Sequence, residues 1–428
     1  MITLTTAQII SIVIFLIVMI LVISEKVHRT TAALAGAVAL ILAGIISFDT
    51  GVSHIDFGTL GVLVGMMIFV AVVKNSGIFE YLAIRAAKIA KGNPWMIMVL
   101  FCLITAVLSA FLDNVTTVLL IGPVTFTVCK MLEISPVPFF IVEIIASNVG
   151  GTATLIGDPP NIMIGSATGL TFFDFLMYDG PAVLLILAAA MVCFYFIYGR
   201  KMGVAEDKQA SIMTLHAHEA IKSKSLFTKS VVMTVITAVA FVLHGAVHIE
   251  PSVVALAAAA IMLILSRAEV EEVLLDVEWS TIGFFAGLFV VVGGLAETGV
   301  IEMLANALID ATGGDLFLTI MIMVWASAII SSFLDNIPLV ATLIPIVQTM
   351  EAAGLDVMPY WWAISLGACI GGIGTLIGAS ANVVLSGMSK TYGYPITFME
   401  YTKVAFPMML VFTAISCVYL VLRFCVFV

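Results

Sequence analysis

Long apolar runs alternate with short polar breaks along the chain. Runs that approach the length of a membrane span, about 20 apolar residues, lie at 7–24, 30–47 and 58–74. Between Gly77 and Lys91 the pattern changes. Ile78, Leu82 and Ile89 fall on one side, while Glu80, Arg85, Lys88 and Lys91 interrupt the run. That spacing predicts an amphipathic helix at 77–91 on the membrane surface. Asn93-Pro94 opens the next apolar stretch, 94–132, which holds Asp113-Asn114 near its middle. Its two arms are short for two crossings around a polar break. They predict a re-entrant hairpin, since irregular backbone at membrane depth is tolerated where protein or a water-filled cavity surrounds it. Residues 136–168 are too long for one simple helix, and their glycine-rich middle ends in Asp158-Pro159-Pro160-Asn161. Proline removes a backbone donor and steers the preceding residue out of the helical region. A helix broken in mid-membrane is expected there, then a span at 181–198.

The second half repeats this order. Spans are expected at 228–247, 251–266 and 280–296, a surface helix at 299–311 and a hairpin at 315–350. A broken helix at 359–389 and a span at 403–424 complete it. Ser109-Ala110-Phe111-Leu112-Asp113-Asn114 returns as Ser331-Ser332-Phe333-Leu334-Asp335-Asn336, with five of six positions identical. The segment 150–157, Gly-Gly-Thr-Ala-Thr-Leu-Ile-Gly, answers to 371–378, Gly-Gly-Ile-Gly-Thr-Leu-Ile-Gly. Thr59, Gly61 and Gly77 pair with Thr281, Gly283 and Gly299, and Thr171-Phe172 and Pro181 with Thr397-Phe398 and Pro407. The expected organisation is a first repeat at 1–199, a polar cytoplasmic linker at 200–227 and a second repeat at 228–428. Five crossings per repeat is an odd number, so the second repeat is inverted relative to the first. The fold class is an all-α polytopic membrane protein of two inverted repeats.

Composition agrees: of 428 residues, 62% are hydrophobic and 10% charged, where a soluble chain carries roughly 25% charged. The sides on which the charges lie matter more than the net charge of −10. With the N-terminus outside, segments 25–29, 74–93, 130–135, 199–229, 267–278 and 390–403 are cytoplasmic. They hold 16 of the 17 Lys and Arg residues, all but Arg423, as the positive-inside rule demands. Both termini are expected outside, and the membrane is the plasma (inner) membrane if the source is bacterial. The first apolar run has neither a basic residue ahead of it nor a small-residue cleavage site after it, so it is expected to remain as a helix. Six scattered cysteines form no CxxC pair and are expected to be free thiols. No nucleic-acid signature is present, and no cofactor is expected.

Hairpin tips and broken helices expose backbone N–H and C=O groups and the partial charges of helix ends. Gly150, Gly151, Gly371 and Gly372 let the backbone unwind and approach a ligand. Thr116, Thr117, Thr152, Thr154, Thr375 and Ser380 offer hydroxyls, and Asn114, Asn148, Asn161, Asn336 and Asn382 both give and accept hydrogen bonds. Asp113, Asp335 and Asp158 suit a proton or sodium, with a sodium site expected at Asp113, Asn114, Asp335 and Asn336. Helix capping alone is the bland reading of Asp113 and Asp335, and the two roles are compatible. Glycines in membrane helices are often packing contacts, above all Gly61 and Gly283. Asp158 faces Ala379 in the repeat alignment and Glu143 faces Ile364. These asymmetric acids are candidates for proton or cation coupling, although Glu143 could instead pair with a basic residue. His244 and His248 have helical i, i+4 spacing but no further ligands nearby, so no metal centre is expected.

The phrases Phe-Leu-Asp-Asn-Val-Thr-Thr at 111–117, Ala-Thr-Leu-Ile-Gly-Asp-Pro-Pro-Asn at 153–161 and Leu-Ile-Gly-Ala-Ser-Ala-Asn at 376–382 carry a resemblance. They resemble the ion transporter superfamily, in the branch of the arsenite permease ArsB, the sodium/proton antiporter NhaD and the animal P protein, whose pattern is nearest. More distant divalent-anion/sodium symporters have Ser-Asn-Thr at each hairpin tip. Here Asp113-Asn114-Val115 and Asp335-Asn336-Ile337 stand instead, and an acid in place of the serine would repel a dicarboxylate. The resemblance implies an elevator mechanism, a homodimeric scaffold holding the first three spans of each half, and surface helices that act as connecting arms. It implies export or exchange of arsenite, antimonite or another small anion with H⁺ or Na⁺. Sodium or lithium/proton antiport is the alternative. The expected partners are the small inorganic solute and membrane lipid, with any energising ATPase unidentified. An intramembrane aspartyl protease would need two facing carboxylates sharing a proton, and Leu155-Ile156-Gly157-Asp158 lacks a Gly-x-Gly-Asp pattern. A passive channel is the third class.

Overall fold

The computed structural model describes residues 4–24 and 26–426. The chain ends, expected outside the membrane, reach beyond these residues, as does Glu25 in the first segment expected to be cytoplasmic. The described residues are helical, with no strand among them.

The first series of helices is α1 (Thr6–Ser24), α2 (Arg29–Leu42), α3 (Phe48–Ser53), α4 (Phe57–Lys74), α5 (Ile78–Ile89), α6 (Pro94–Ser109), α7 (Asn114–Leu132), α8 (Val137–Gly151), α9 (Pro159–Thr168) and α10 (Phe172–Ile197). A connector holds α11 (Glu206–Ser211) and three short turns. The second series is α12 (Lys224–Leu243), α13 (Pro251–Ser266), α14 (Val270–Leu275), α15 (Trp279–Glu297), α16 (Val300–Thr312), α17 (Leu316–Ser331), α18 (Asn336–Ala352), α19 (Met358–Gly371), α20 (Ser380–Thr391) and α21 (Phe398–Val421). Among the described residues, seven helices are long and apolar enough to cross a membrane; α2, α6, α8, α13 and α17 are shorter apolar helices.

The two series pack crosswise. α4 lies along α13 and α2 along α15; α7 meets α20 and α18 meets α9; α6 backs α8 as α17 backs α19. Exchanging the series leaves this set of neighbours unchanged. Glycine sets the closest approaches. A Cβ on Gly65 would lie 2.6 Å from the backbone of Ala255, and one on Gly287 would lie 2.7 Å from that of Ala33. α8 and α19 are innermost, with every residue of Phe139–Gly151 and of Pro359–Gly371 buried. A helix apolar on all sides has no solvent face to keep.

Several boundaries differ from the sequence expectation, each for a local reason. The span expected at 181–198 begins at Phe172, because Thr171 and Asp174 form a capping box that starts the helix there and leaves Pro181 inside it. The span expected at 403–424 likewise begins at Phe398, capped by Thr397. The run 30–47 ends as a helix at Leu42, ahead of Gly44 at φ +69°. Ser47 then caps α3, which together with α14 went unforeseen. The connector is not a free tether. Ile212 and Ala217 are buried, Lys88 donates to the Leu215 carbonyl (2.8 Å), and Lys208 pairs with Glu133.

Gly65→Val is expected to destabilise the protein by about 1–3 kcal/mol through overpacking, seen as a lower melting temperature in detergent. Wild-type melting would mean that α4 and α13 do not touch at this glycine.

Candidate functional site

Four helices, α7, α9, α18 and α20, start deep inside the protein, and their N-termini gather around one point. Asp113 caps α7, accepting from the Thr116 backbone N–H (2.9 Å) and the Thr116 hydroxyl. Asp335 caps α18, accepting from the Ile337 N–H (3.1 Å) and the Ser380 hydroxyl (3.0 Å). Asp158 and Ala379 occupy the corresponding positions before α9 and α20, and neither makes a side-chain cap bond. Asp158 instead accepts from Asn336 Nδ2 across the two series, at 3.2 and 3.3 Å. Ser109 donates to Asn114 Oδ1 (2.5 Å).

Between these ends lies a cavity of about 40 Å³ lined by Asp113, Asn114, Asp158, Asn336 and Ser380, room for about one water or ion. Its other wall comes from α2, α4 and α15: Arg29, Leu63, Met67, Thr281 and, just before α15, Glu278. A larger cavity of about 270 Å³ shares Arg29 and Ser380 with it and adds His28, Phe333 and Asp335. Arg29 donates to Thr281 (2.9 Å) and Ser380 (2.5 Å) and lies 3.6 Å from Asp335, with its guanidinium over the Phe284 ring. It ties the α2/α15 wall to the tip between α17 and α18.

The remaining expected residues form a supporting layer. Asn161 donates to the Thr152 and Thr154 carbonyls (3.1 and 2.9 Å), and Asn382 donates to those of Gly372 and Thr375 (2.8 Å each). Asn148 donates to Asn382 Oδ1 (3.0 Å). Thr152, Thr154 and Thr375 donate to the carbonyls of Asn148, Ala110 and Ser332, so their protons serve the turns. Thr117 is buried, and its hydroxyl has no hydrogen-bond partner among the described residues. Gly150 and Gly371 were expected to approach a ligand. They approach helices instead: a Cβ would lie 2.1 Å from the Ala106 carbonyl and 2.5 Å from that of Ala328. A Cβ on Gly151 would meet Asn114 Oδ1 at 2.4 Å, and one on Gly372 would meet the Gly378 carbonyl at 3.2 Å. Glu143 does not line the cavity, accepts from Thr125 and has no basic partner among the described residues. His244 uses both ring nitrogens within the protein, on the Phe172 N–H and the Ile249 carbonyl.

Sequence reasoning missed Arg29, Glu278 and Thr281. Arg29 was counted only as a charge that orients the chain. Thr281 stands in the sequence pattern only as the repeat partner of Thr59, and Glu278 is not singled out, although a carboxylate and a hydroxyl at a helix start is the same signal that marks Asp113.

Residues 19–367 match the family model described as citrate transporter. The chain belongs to that family. It is 43% identical over 425 residues to the uncharacterized transporter Rv2684 of Mycobacterium tuberculosis, covering 97% of this chain and 99% of that one. It is 34% identical over 485 residues to the P protein of Homo sapiens, covering 94% of this chain and 58% of that protein. Its fold is similar to the Alcanivorax borkumensis YdaH transporter, with a TM-score of 0.63, 14% identity and coverage of 97% and 98%. The protein is thus an integral, multi-pass membrane transporter and not an enzyme, and the protease reading falls.

The Arg29–Asp335 tie is expected to show coupling of about 0.5–3 kcal/mol in a double-mutant cycle of thermal stability with alanine at each position. The more exposed Lys208–Glu133 pair should give about 0–1 kcal/mol. Equal coupling in the two cycles would deny the Arg29 bridge any special role.

Proposed function

We propose that this is an ion-coupled secondary transporter of a small inorganic solute, with H⁺ or Na⁺ held at Asp113, Asn114, Asp158 and Asn336. The observation that carries the reading is the lining of the central cavity, where Asp113, Asp158 and Glu278 face a single arginine. Three carboxylates around a space of about 40 Å³ attract a small cation and oppose a dicarboxylate. Amide oxygens and a serine hydroxyl add the hard ligands that sodium takes. Sodium or lithium/proton antiport is the form of transport this lining supports best.

Export or exchange of arsenite, antimonite or another small anion is the second reading, and Arg29 favours it. Arg29 is the basic residue at the larger cavity where it meets the helix ends at Asp335 and Ser380, and helix N-termini favour anions. In either form the carrier works as an elevator. Helices α1, α2, α4, α12, α13 and α15 are the scaffold, paired with a second copy, and the helices that carry the four buried N-termini move against it. The crosswise packing of α4 with α13 and α2 with α15 supports a separate, rigid scaffold.

In liposomes with a pH dye inside, external Na⁺ or Li⁺ is expected to drive a pH change. Asp113→Asn should weaken it tenfold to hundredfold, the value of about 1.5–3 kcal/mol for a charged hydrogen-bond partner. No response to either cation, beside arsenite or chloride flux in the same vesicles, would replace antiport with the second reading.

A further inference from the structure

Asp179, a buried acid outside the cavity, is tied to the site by an unusual count of protons. Asp179 on α10, Ser365 on α19 and Asn161 on α9 are each fully buried. The Ser365 hydroxyl lies 2.6 Å from Asp179 Oδ2 and 2.7 Å from Asn161 Oδ1. Asn161 is fixed in orientation, because its Nδ2 donates to the Thr152 and Thr154 carbonyls; its Oδ1 therefore accepts. A serine hydroxyl has one proton. If Ser365 gives it to Asn161, the short contact with Asp179 needs a proton from the carboxyl. If Ser365 gives it to Asp179, two oxygens face each other at 2.7 Å with nothing between them. Cys369 offers Asn161 only a weak thiol contact at 3.7 Å.

The other series shows what the position requires. Asn382, the counterpart of Asn161, holds its turn through the Gly372 and Thr375 carbonyls, and its Oδ1 receives a true donor, Asn148 Nδ2. Cys369 stands where Asn148 would be in the repeat alignment. The donor must come from elsewhere, and Ser365, backed by Asp179, supplies it. Asp179 Oδ1 has no hydrogen-bond partner among the described residues, a burial far costlier for a carboxylate than for a neutral acid.

We propose that Asp179 is a proton-binding site, with a proton on Oδ2 donated to Ser365 and relayed by the Ser365 hydroxyl to Asn161. The step is proton transfer alone. On release, the O–H bond of Asp179 breaks, its electron pair stays on the carboxylate and the proton passes to water. Ser365 then turns its hydroxyl toward Asp179, and Asn161 Oδ1 loses its donor. Asn161 pins the turn that leads from Thr152 to Asp158, so proton occupancy at Asp179 and ion occupancy at Asp158 are linked. The titratable and charged groups within reach are Tyr178 on α10, Tyr419 on α21 with Arg423 just beyond it, and Cys369 on α19. Of the other helices packed against α10, α8 turns its Glu143 to Thr125, and His244, at the end of α12, accepts from the Phe172 N–H at the start of α10, about two turns before Asp179.

The proton itself is read by infrared spectroscopy of the purified full chain, which needs no knowledge of the transported solute. The wild type is expected to show a buried, protonated carboxyl stretch at neutral pH that Asp179→Asn removes. The asparagine amide still donates to Ser365, so this variant should melt with the wild type. Should it fail to fold, Ser365→Ala serves instead. That variant should keep the band and shift it to higher frequency, because the carboxyl loses its acceptor. A spectrum unchanged by either substitution overturns the proposal. The linkage is read as sodium-dependent thermal stabilisation against pH. Asp179→Asn should flatten its pH dependence, and an unaltered profile would refute the link to Asp158. Failure of sodium to stabilise any variant, with the band still assigned to Asp179, would count against the cation-binding reading of the cavity alone.

Discussion

Four helices begin inside the protein at membrane depth, and each begins with backbone N–H groups that no helical carbonyl accepts. Lipid offers them no water. The polar residues of the core answer that constraint. Asp113 and Asp335 cap two of the ends. Asn161 and Asn382 hold the carbonyls left by the broken helices. The threonines spend their hydroxyl protons on nearby carbonyls. The site is the small space left when these obligations have been met, and its character is set by the acids that remain facing it.

The two series meet their obligations in the same way where their residues match and differently where they do not. Thr154 bonds Ala110 as Thr375 bonds Ser332. Asp158 has no acidic counterpart and is held from the other series by Asn336. Cys369 replaces an asparagine, and the Asp179–Ser365 pair takes over its donor. Near-symmetry builds the frame, and its exceptions place single titratable groups. Asp158 is one such central acid, and the proposed coupling ion would meet it without the like-charge repulsion that an acid at Ala379 would add.

Much of this was legible in the sequence because membrane depth makes polar residues conspicuous. Asp113-Asn114 and its second copy stood out against apolar runs, and the double proline after Asp158 marked the helix break. Arg29 escaped because its role depends on Asp335 far along the chain, a contact that no local pattern encodes. Asp179 escaped for a more instructive reason. Placing the span from Pro181 put Asp179 in a loop, whereas the Thr171–Asp174 capping box extends α10 back to Phe172 and carries Asp179 into the buried interior. The glycines misled in the other direction. Gly150 and Gly371 looked like openings for a ligand and are the contact points of packed helices, since close backbone approach serves both purposes and only geometry separates them.

The central claim is that the acids around the cavity hold a coupling cation. Equilibrium binding of sodium to the purified protein, titrated across pH, tests it most directly. The account predicts saturable binding that protons displace and that Asp158→Ala abolishes while the fold persists. Binding indifferent to pH and to Asp158, or no sodium binding at any pH, would contradict it.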